Sequence, residues 1–382
     1  MNKKLKIAVN TRFLIPNKLE GIGTYTHQIM KRLVKIMPEV EFHFLFDRQW
    51  SEEYIYSKNI IPHKLSPPAR HPFLWYYWFE KSVTNWLKKN PVDIFLSLDS
   101  FMSLKTYTTT FLVVHDLAFE HFPEHVPFLV RKYYQTFFPK FTKKAEKIFA
   151  VSKFTKQDLI SRYNIKENKI SIAYCGVSEV YKPISEEEKI VVQNKVTNGN
   201  PYFICIGSLN PRKNIQRVVQ AFNSFKKTQE KVNYKLLIVG AKGWKTNNIY
   251  NEIENSKYQK DIVLLGHIEP EKLSKYLASS LALIFPSLFE GFGLPIVEAY
   301  KCKVPVITSN VSSTKEIGEN SAILVDPQNF NDIKNAMITI IDNKFWNNNI
   351  VKDREKKLLK FDWHKTANII SSEIRLYVSR IK

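Results

Sequence analysis

Three observations predict an α/β chain of two doubly wound, Rossmann-like domains. The first is length: 382 residues exceed the usual single domain, and length alone favours two. The second is rhythm: short apolar runs alternate with amphipathic stretches from end to end. The third is a restart, because the series begins again after a polar interruption near the middle of the chain.

In the first half the apolar runs are Leu5–Val9, Val40–Phe46, Ile94–Leu98, Thr110–Val114, Lys147–Val151 and Lys169–Tyr174. In the second half they are Tyr202–Ile206, Lys235–Val239, Asp261–Leu265, Leu281–Phe285, Val304–Thr308 and Ala322–Val325. Runs this short, apolar on both faces, suit parallel strands covered by helices on each side. The stretches between them supply the crossover helices, such as Gly23–Ile36, Ser152–Arg162 and Asn214–Lys227. Ser152 is placed to cap the second, and Pro211 suits a helix entry before the third. The interruption runs from Gly176 through Pro183 to the acidic cluster Glu186–Glu188. It sets expected domains of 1–180 and 181–362, with a final amphipathic helix over 363–382. Two such sheets are expected to face one another across a cleft at the C-terminal ends of their strands, where doubly wound sheets bind ligands.

Composition narrows the classes. Hydrophobic residues at 44% and charged residues at 24% suit a folded globular chain rather than a disordered one. The net charge of +21 is shared, with 28 basic and 16 acidic residues up to Pro183 and 29 and 20 beyond it, so no single tail carries it. That balance suits a phosphorylated substrate, a polyanion or an anionic membrane surface. Without a nucleic-acid motif it predicts no specific nucleic-acid partner. Cys175, Cys205 and Cys302 are too scattered for a zinc site or a disulfide framework. No signal-peptide pattern opens the sequence, and no apolar run reaches a membrane span, so a cytoplasmic location is expected, with peripheral contact at the inner face of the cell membrane as an extension.

The chemistry concentrates between Phe285 and Glu298. An apolar strand ends at Pro286, a loop carries Glu290, Gly291 and Gly293, and a helix begins near Pro295. The glycines let the backbone turn and approach a ligand, and the amides at the helix start favour phosphate. Glu290 and Glu298, with seven residues between them, offer paired acceptors to the hydroxyls of a sugar or ribose. A second strand-to-helix turn, Gly207 to Asn214, carries Arg212 and Lys213, a fork and a point charge suited to a diphosphate. In the first half, Gly21-Ile22-Gly23-Thr24-Tyr25 starts a helix but lacks the third glycine of a dinucleotide fingerprint. His115-Asp116 ends a strand, where a side chain either faces the ligand crevice or fills the core.

Taken in order, these pieces resemble the large retaining glycosyltransferase family of the GT-B fold, which includes bacterial mannosyltransferases of O-antigen and capsule assembly. The resemblance spans nearly the whole chain, and Gly21–Tyr25 with His115-Asp116-Leu117 is most similar to the mannosyltransferase branch. It implies a nucleotide-diphosphate sugar donor, with GDP-mannose the first choice and UDP- or dTDP-sugars the alternative. It implies that Gly21 and Gly23 lie at the donor–acceptor junction, with Tyr25 and Asp116 on the acceptor side. His115 and Glu290 would meet the donor sugar, and Arg212 and Lys213 the diphosphate. Glu298 would hold the ribose, and Gly207, Gly291 and the amides of Phe292, Gly293 and Leu294 would line the phosphate and sugar. His267 and Ile268 would approach the base. The helix from Trp363 would cross back to the first domain. The acceptor would be a saccharide, lipid-diphosphate-linked in one version.

The sequence holds no D-x-D pair, so no metal and no cofactor are expected. Arg212, Lys213 and the helix start would supply the positive field in its place. A sugar-nucleotide epimerase and a non-enzymatic polyanion-binding protein are the competing readings. Two further stretches stay open: the aromatic Arg70–Phe79, and Arg131–Lys147 with six basic and five aromatic residues. The first reads as a helix packed into its domain or as an aromatic face for sugars or a membrane interface, and the second as a solvated charged face or a membrane-facing amphipathic helix.

Overall fold

The computed structural model describes residues 4–16, 19–342, 345 and 348–381. The chain forms two compact units, Met1–Cys175 with Asp362–Lys382, and Gly176–Phe361. The first unit ends five residues before the expected boundary. Ala173 still donates its N–H to Ala150 (2.8 Å), whereas Tyr181 hydrogen-bonds Glu298 of the second unit.

In the first unit the strands are β1 (Lys6–Asn10), β2 (Glu41–Phe46), β3 (Ile60–Lys64), β4 (Ile94–Ser97), β5 (Thr110–Val114), β6 (Lys147–Ala150) and β7 (Ile170–Ile172). They form one parallel sheet in the order β3-β2-β1-β4-β5-β6-β7. In the second unit they are β8 (Tyr202–Ile206), β9 (Lys235–Val239), β10 (Ile262–Gly266), β11 (Leu283–Phe285), β12 (Val306–Ser309) and β13 (Ile323–Val325). These pair in parallel as β10-β9-β8-β11-β12-β13. Each apolar run of the sequence is a strand. The strand that the apolar pattern leaves out is β3, whose sequence Ile60-Ile61-Pro62-His63-Lys64 sits at a sheet edge where a proline and polar residues are tolerated.

Both sheets reverse their order once, between β1 and β4 in the first unit and between β8 and β11 in the second. At such a point the following loops splay apart and leave a crevice at the C-terminal strand ends. In the first unit a buried ion pair spans it. Arg12, just past β1, contacts Asp99, just past β4, and both side chains are almost wholly buried. The Arg12 guanidinium also lies 4.5 Å from the centroid of the Phe101 ring and 4.8 Å from that of Phe13.

The helix Gly21–Ile36 buries Tyr25, Ile29, Met30 and Leu33, an i, i+4 stripe. The last helix, Trp363–Ile381, lies with the first unit and buries Trp363, Ala367, Ile370 and Ile374 at the same spacing. It is fastened along its length. Thr366 donates to the Tyr174 carbonyl (2.5 Å), Glu373 meets Ser171 (2.5 Å) and Lys147 (2.9 Å), and Tyr377 bonds Thr109 (2.7 Å).

Removing one partner of the Arg12–Asp99 pair strands a buried charge, which costs about 3–5 kcal/mol. Asp99→Ala is therefore expected to lower the unfolding free energy of the first unit by that amount, read from denaturant titration. A loss below about 1 kcal/mol would show that the pair carries no such load.

Candidate functional site

The second unit assembles its site from the loops that follow β8 and β11. After β8 the chain turns at Gly207, where φ is +143°, and a short 3-10 turn Pro211–Lys213 follows. A side chain at Gly207 would lie 3.0 Å from the Lys213 stem, so the glycine gives that lysine its path. Asn214, left-handed at φ 62°, ends the turn and starts the helix Ile215–Thr228. Its amide donates to the carbonyls of Pro286 (3.0 Å) and Pro327 (2.6 Å), which fastens the loop after β8 to the loop after β11. The Leu288 N–H donates to the Arg212 carbonyl (2.8 Å), a second stitch.

At the centre lies Glu290. Its Oε2 accepts from Arg212 Nη1 at 2.7 Å and its Oε1 accepts from Lys213 Nζ at 2.6 Å. Arg212 Nη1 also donates to the Phe289 carbonyl (2.6 Å), and Lys213 Nζ stands 4.7 Å from the centroid of the Phe285 ring. Burial pushes the Glu290 carboxyl up, but the two cations outweigh it and hold it at about 2. Two cations against one carboxylate leave the cluster a net positive charge, which suits a bound anion.

The Glu290 backbone is also fixed. Its N–H donates to Ser312 Oγ (3.1 Å), and Ser313 Oγ donates to the carbonyls of Glu290 (2.8 Å) and Phe292 (2.9 Å). Ser309 Oγ donates to the Ser287 carbonyl (2.6 Å). These serines and Asn214 escaped the sequence reading. Their one visible signal is the S-x-x-S-S spacing of Ser309 to Ser313 directly after a strand.

Gly291, Phe292 and Gly293 are buried, and Gly293 takes φ +110° to start the helix Leu294–Lys301 with Pro295 in its first turn. Pro295 carries no N–H and the Ile296 N–H donates to the Gly293 carbonyl (3.0 Å), so what the helix start offers the loop is chiefly its positive dipole end. One turn on, Glu298 accepts a hydrogen bond from Tyr181, and burial raises its carboxyl to about 7 against that bond. Two carboxylates of one motif thus differ by about five pH units, because one is flanked by cations and the other is not.

His267 is exposed and Ile268 half-buried on the loop after β10, with His267 Nε2 3.6 Å from Glu269. Backbone bonds link that loop to Gly207. Gly240 donates to Gly266 (2.8 Å) and Gly207 to Val239 (2.9 Å). A side chain at Gly240 would strike the Gly207 carbonyl at 1.9 Å, and one at Gly243 the Leu209 carbonyl at 2.2 Å. Both glycines were missed, since their need is a contact between two distant loops.

In the first unit, His115 ends β5 as expected. Its Nε2–H donates to the Leu98 carbonyl at 2.7 Å, and its N–H donates to Ser100 Oγ at 3.1 Å. A carbonyl can only accept, so the proton sits on Nε2 and burial keeps the ring neutral by lowering its pKa. Asp116 Oδ1 accepts from the Ala118 N–H (3.0 Å). Tyr25 departs from its expected place on the acceptor side. It is fully buried, donates to the Ala173 carbonyl (3.3 Å) and sets its ring edge-on to His115 (5.1 Å) and Trp363 (5.5 Å). Helix periodicity turns it inward, where it packs against His115. Gly21 is open to solvent, whereas a side chain at Gly23 would strike the Phe13 carbonyl at 2.7 Å, so Gly23 serves close packing of the turn.

Residues 186–357 match the family model of glycosyl transferases group 1, and residues 19–180 match that of glycosyltransferase family 4. The chain belongs to the glycosyl transferases group 1 family. Among relatives of this glycosyltransferase, O-antigen chain mannosyltransferase B of Escherichia coli is 26% identical over 341 residues, which cover 86% of this chain and 88% of that one. The O-antigen chain mannosyltransferase RfbU of Salmonella typhimurium is 23% identical, over 74% of each chain. Among solved structures, WaaG, a glycosyltransferase of lipopolysaccharide biosynthesis, matches with a TM-score of 0.75 at 16% identity, covering 95% of this chain and 99% of that one. Anabaena HepE in complex with UDP and glucose gives 0.74 at 15%, covering 97% and 99%. These likenesses show the fold, GT-B with two Rossmann-like parallel-sheet domains.

The pKa of Glu298 has a stability consequence. Its folded value of about 7 lies above the ordinary 4.5, so the buried ionised form opposes folding and stability falls as pH rises from about 4.5 to about 7. Glu290, depressed to about 2, acts in the opposite sense and loses its contribution only as pH falls below about 4.5. Glu298→Gln is therefore expected to raise the melting temperature by a few degrees at pH 8, about 2–4 °C for each kcal/mol relieved, and to leave it nearly unchanged at pH 5. Equal shifts at both pH values in a thermal scan would contradict this.

Proposed function

We propose that this glycosyltransferase is a retaining, metal-independent hexosyltransferase that moves mannose from GDP-mannose to a saccharide of a cell-surface polysaccharide or lipopolysaccharide. The observation that carries the reading is the Arg212–Lys213 pair held over the strand ends by Glu290. Support for mannose comes from the O-antigen mannosyltransferase relatives. A UDP- or dTDP-sugar donor is the alternative.

In this reading the donor diphosphate lies against Arg212, Lys213 and the positive dipole end of the helix Leu294–Lys301. Positive charge there stabilises the leaving diphosphate as the bond from the sugar anomeric carbon to its phosphate oxygen breaks. No cofactor takes part, and these cations fill the role that a metal has elsewhere. The acceptor hydroxyl attacks on the same face, its oxygen bonds the anomeric carbon, and its proton passes to the departing phosphate oxygen. Glu290 has two tasks. It fixes both cations, and its remaining lone pairs accept hydroxyls of the transferred sugar. Glu298 receives the ribose hydroxyls, and Gly266 brings His267 and Ile268 toward the base. The acceptor is a saccharide, lipid-diphosphate-linked at the cytoplasmic membrane face in the version we favour.

Steady-state kinetics with GDP-, UDP- and dTDP-sugars test this directly. Lys213→Ala is expected to lower kcat about 10²–10³-fold, as loss of one electrostatic stabiliser does. Glu290→Gln is expected to lower kcat strongly and Glu298→Gln mainly to raise KM. Activity in excess chelator should persist; full loss restored by manganese or magnesium would reject the metal-free mechanism. Product with an inverted anomeric centre would reject retention, and turnover of donor without acceptor into an epimer would favour the epimerase reading.

A second expectation follows from Glu298. An ionised carboxylate accepts two ribose hydroxyls better than a protonated one, so affinity for GDP-mannose, whose phosphates do not titrate in this range, is expected to rise from pH 6 to pH 8 in the native protein and to stay flat in Glu298→Gln. Calorimetry reading parallel slopes for the two proteins would remove Glu298 from the ribose.

A further inference from the structure

The first unit carries a face that the transfer chemistry leaves unused. Its helix Pro72–Tyr77 packs beside the helix Phe128–Lys144. Trp75 stacks on Tyr134 with centroids 5.9 Å apart, and Tyr76 meets Phe137 at 5.7 Å. These contacts use the inner sides of both helices. On the outer sides large apolar residues stand in solvent: Phe73 at 70% exposure, Phe128 at 60% and Tyr77 at 51%, with Leu74 and Leu129 beside them in sequence. A surface helix normally buries such residues, so a set this large marks an interaction site.

The platform is rigid. Buried Glu80 accepts the N–H of Leu104 (2.7 Å) and of Lys105 (3.0 Å), and Lys144 Nζ donates to the carbonyls of Leu104 (2.5 Å) and Thr106 (2.6 Å). The 104–107 loop is thereby tied to the helix Phe128–Lys144 and to the helical turn Trp78–Val83 that continues Pro72–Tyr77, and Lys105 Nζ lies 5.9 Å from the centroid of the Tyr76 ring.

Charge decides what the face fits. Residues 69–79, 104–109 and 127–144 contain no Asp or Glu, yet they carry Arg70, Lys105, Arg131, Lys132, Lys140, Lys143 and Lys144. Cations and aromatics interleave: Arg131 and Lys132 sit 5.5 and 5.8 Å from the Phe128 ring centroid, and Lys140 sits 5.7 Å from that of Phe137. A protein partner of ordinary composition would leave so many cations partly unpaired. A plane of anionic headgroups over acyl chains satisfies both kinds of group at once, with rings at headgroup level and ammonium groups on phosphates. No helix among the described residues is long and apolar enough to cross a membrane, so the contact would be interfacial.

We propose that the paired helices Pro72–Tyr77 and Phe128–Lys144, with the 104–107 loop, form a docking face for an anionic lipid bilayer. The inference rests on the first unit alone and stands whatever donor the second unit takes.

Vesicle co-sedimentation of the full chain tests it, using phosphatidylcholine vesicles and the same vesicles doped with phosphatidylglycerol. Binding is expected only with the anionic lipid and is expected to fall as salt rises. Lys132→Glu with Lys140→Glu should weaken it at least about tenfold, since each basic residue near the surface is worth about 1 kcal/mol. Lys31→Glu with Lys35→Glu, the same change in net charge on the helix Gly21–Ile36, should leave it within about twofold. Phe73→Ser, Tyr77→Ser and Phe128→Ser together should also weaken it at least about tenfold, because ring insertion adds apolar burial. Thermal unfolding checks that each variant is folded; these side chains are exposed or rim residues and their loss leaves the core intact. Equal effects from the two lysine pairs would reduce the binding to bulk charge and overturn the proposal. So would absence of binding to anionic vesicles at low salt, or an unchanged aromatic variant.

Discussion

The second unit depends on one carboxylate. Glu290 takes Arg212 on one oxygen and Lys213 on the other, and so closes the gap between the loops after β8 and β11. Without it two cations would face each other beside a helix start, where the dipole repels them. With it they are held close together and aimed, while the cluster keeps a net positive charge. Preorganised charge of this kind costs little rearrangement when a ligand arrives. The arrangement also explains why the glycines matter. Gly207 lets the lysine stem pass, and Gly293 turns the chain into the helix whose dipole end joins the field.

Sheet topology places that carboxylate. β8 and β11 are neighbours across the one reversal of strand order, so their outgoing loops diverge and leave space between them. The loops after β9 and β10 lie on the same sheet edge, drawn in by backbone bonds through Gly240 and Gly266. The first unit repeats the plan with different chemistry. Its reversal, between β1 and β4, is bridged by buried Arg12 and Asp99, and beside it His115 is tethered to Leu98 and Ser100. One unit thus holds a charge-rich site partly open, and the other holds a neutral imidazole in a fixed tautomer.

The two glutamates show how environment divides one motif. Glu290 and Glu298 lie on one short strand-loop-helix segment and differ little as residues. Flanking cations hold the first ionised at any working pH, while burial beside Tyr181 leaves the second near half-ionised at neutrality. The segment therefore presents a permanent charge and a titratable acceptor within two helical turns.

The sequence by itself determined the strands and their parallel class, because both-face burial writes an apolar run that needs no partner to be read. It also marked the strand-end turns that carry Gly207, Arg212, Lys213, Glu290 and Gly293, since turns demand glycine and proline at fixed places. It did not reveal β3, because an edge strand lacks the apolar signal. The resemblance set Tyr25 on the acceptor side, and the fold turns its ring into the core. Only tertiary structure decided what Glu290 grips, which proton affinity each glutamate has, and that Arg12 meets Asp99. Those outcomes rest on atoms far apart in the chain brought within a few ångströms. The same holds for the aromatic and basic stretches. Their composition allowed a packed or solvated helix as well as a membrane-facing one, and only the packing of the two helices fixed which rings remain in solvent.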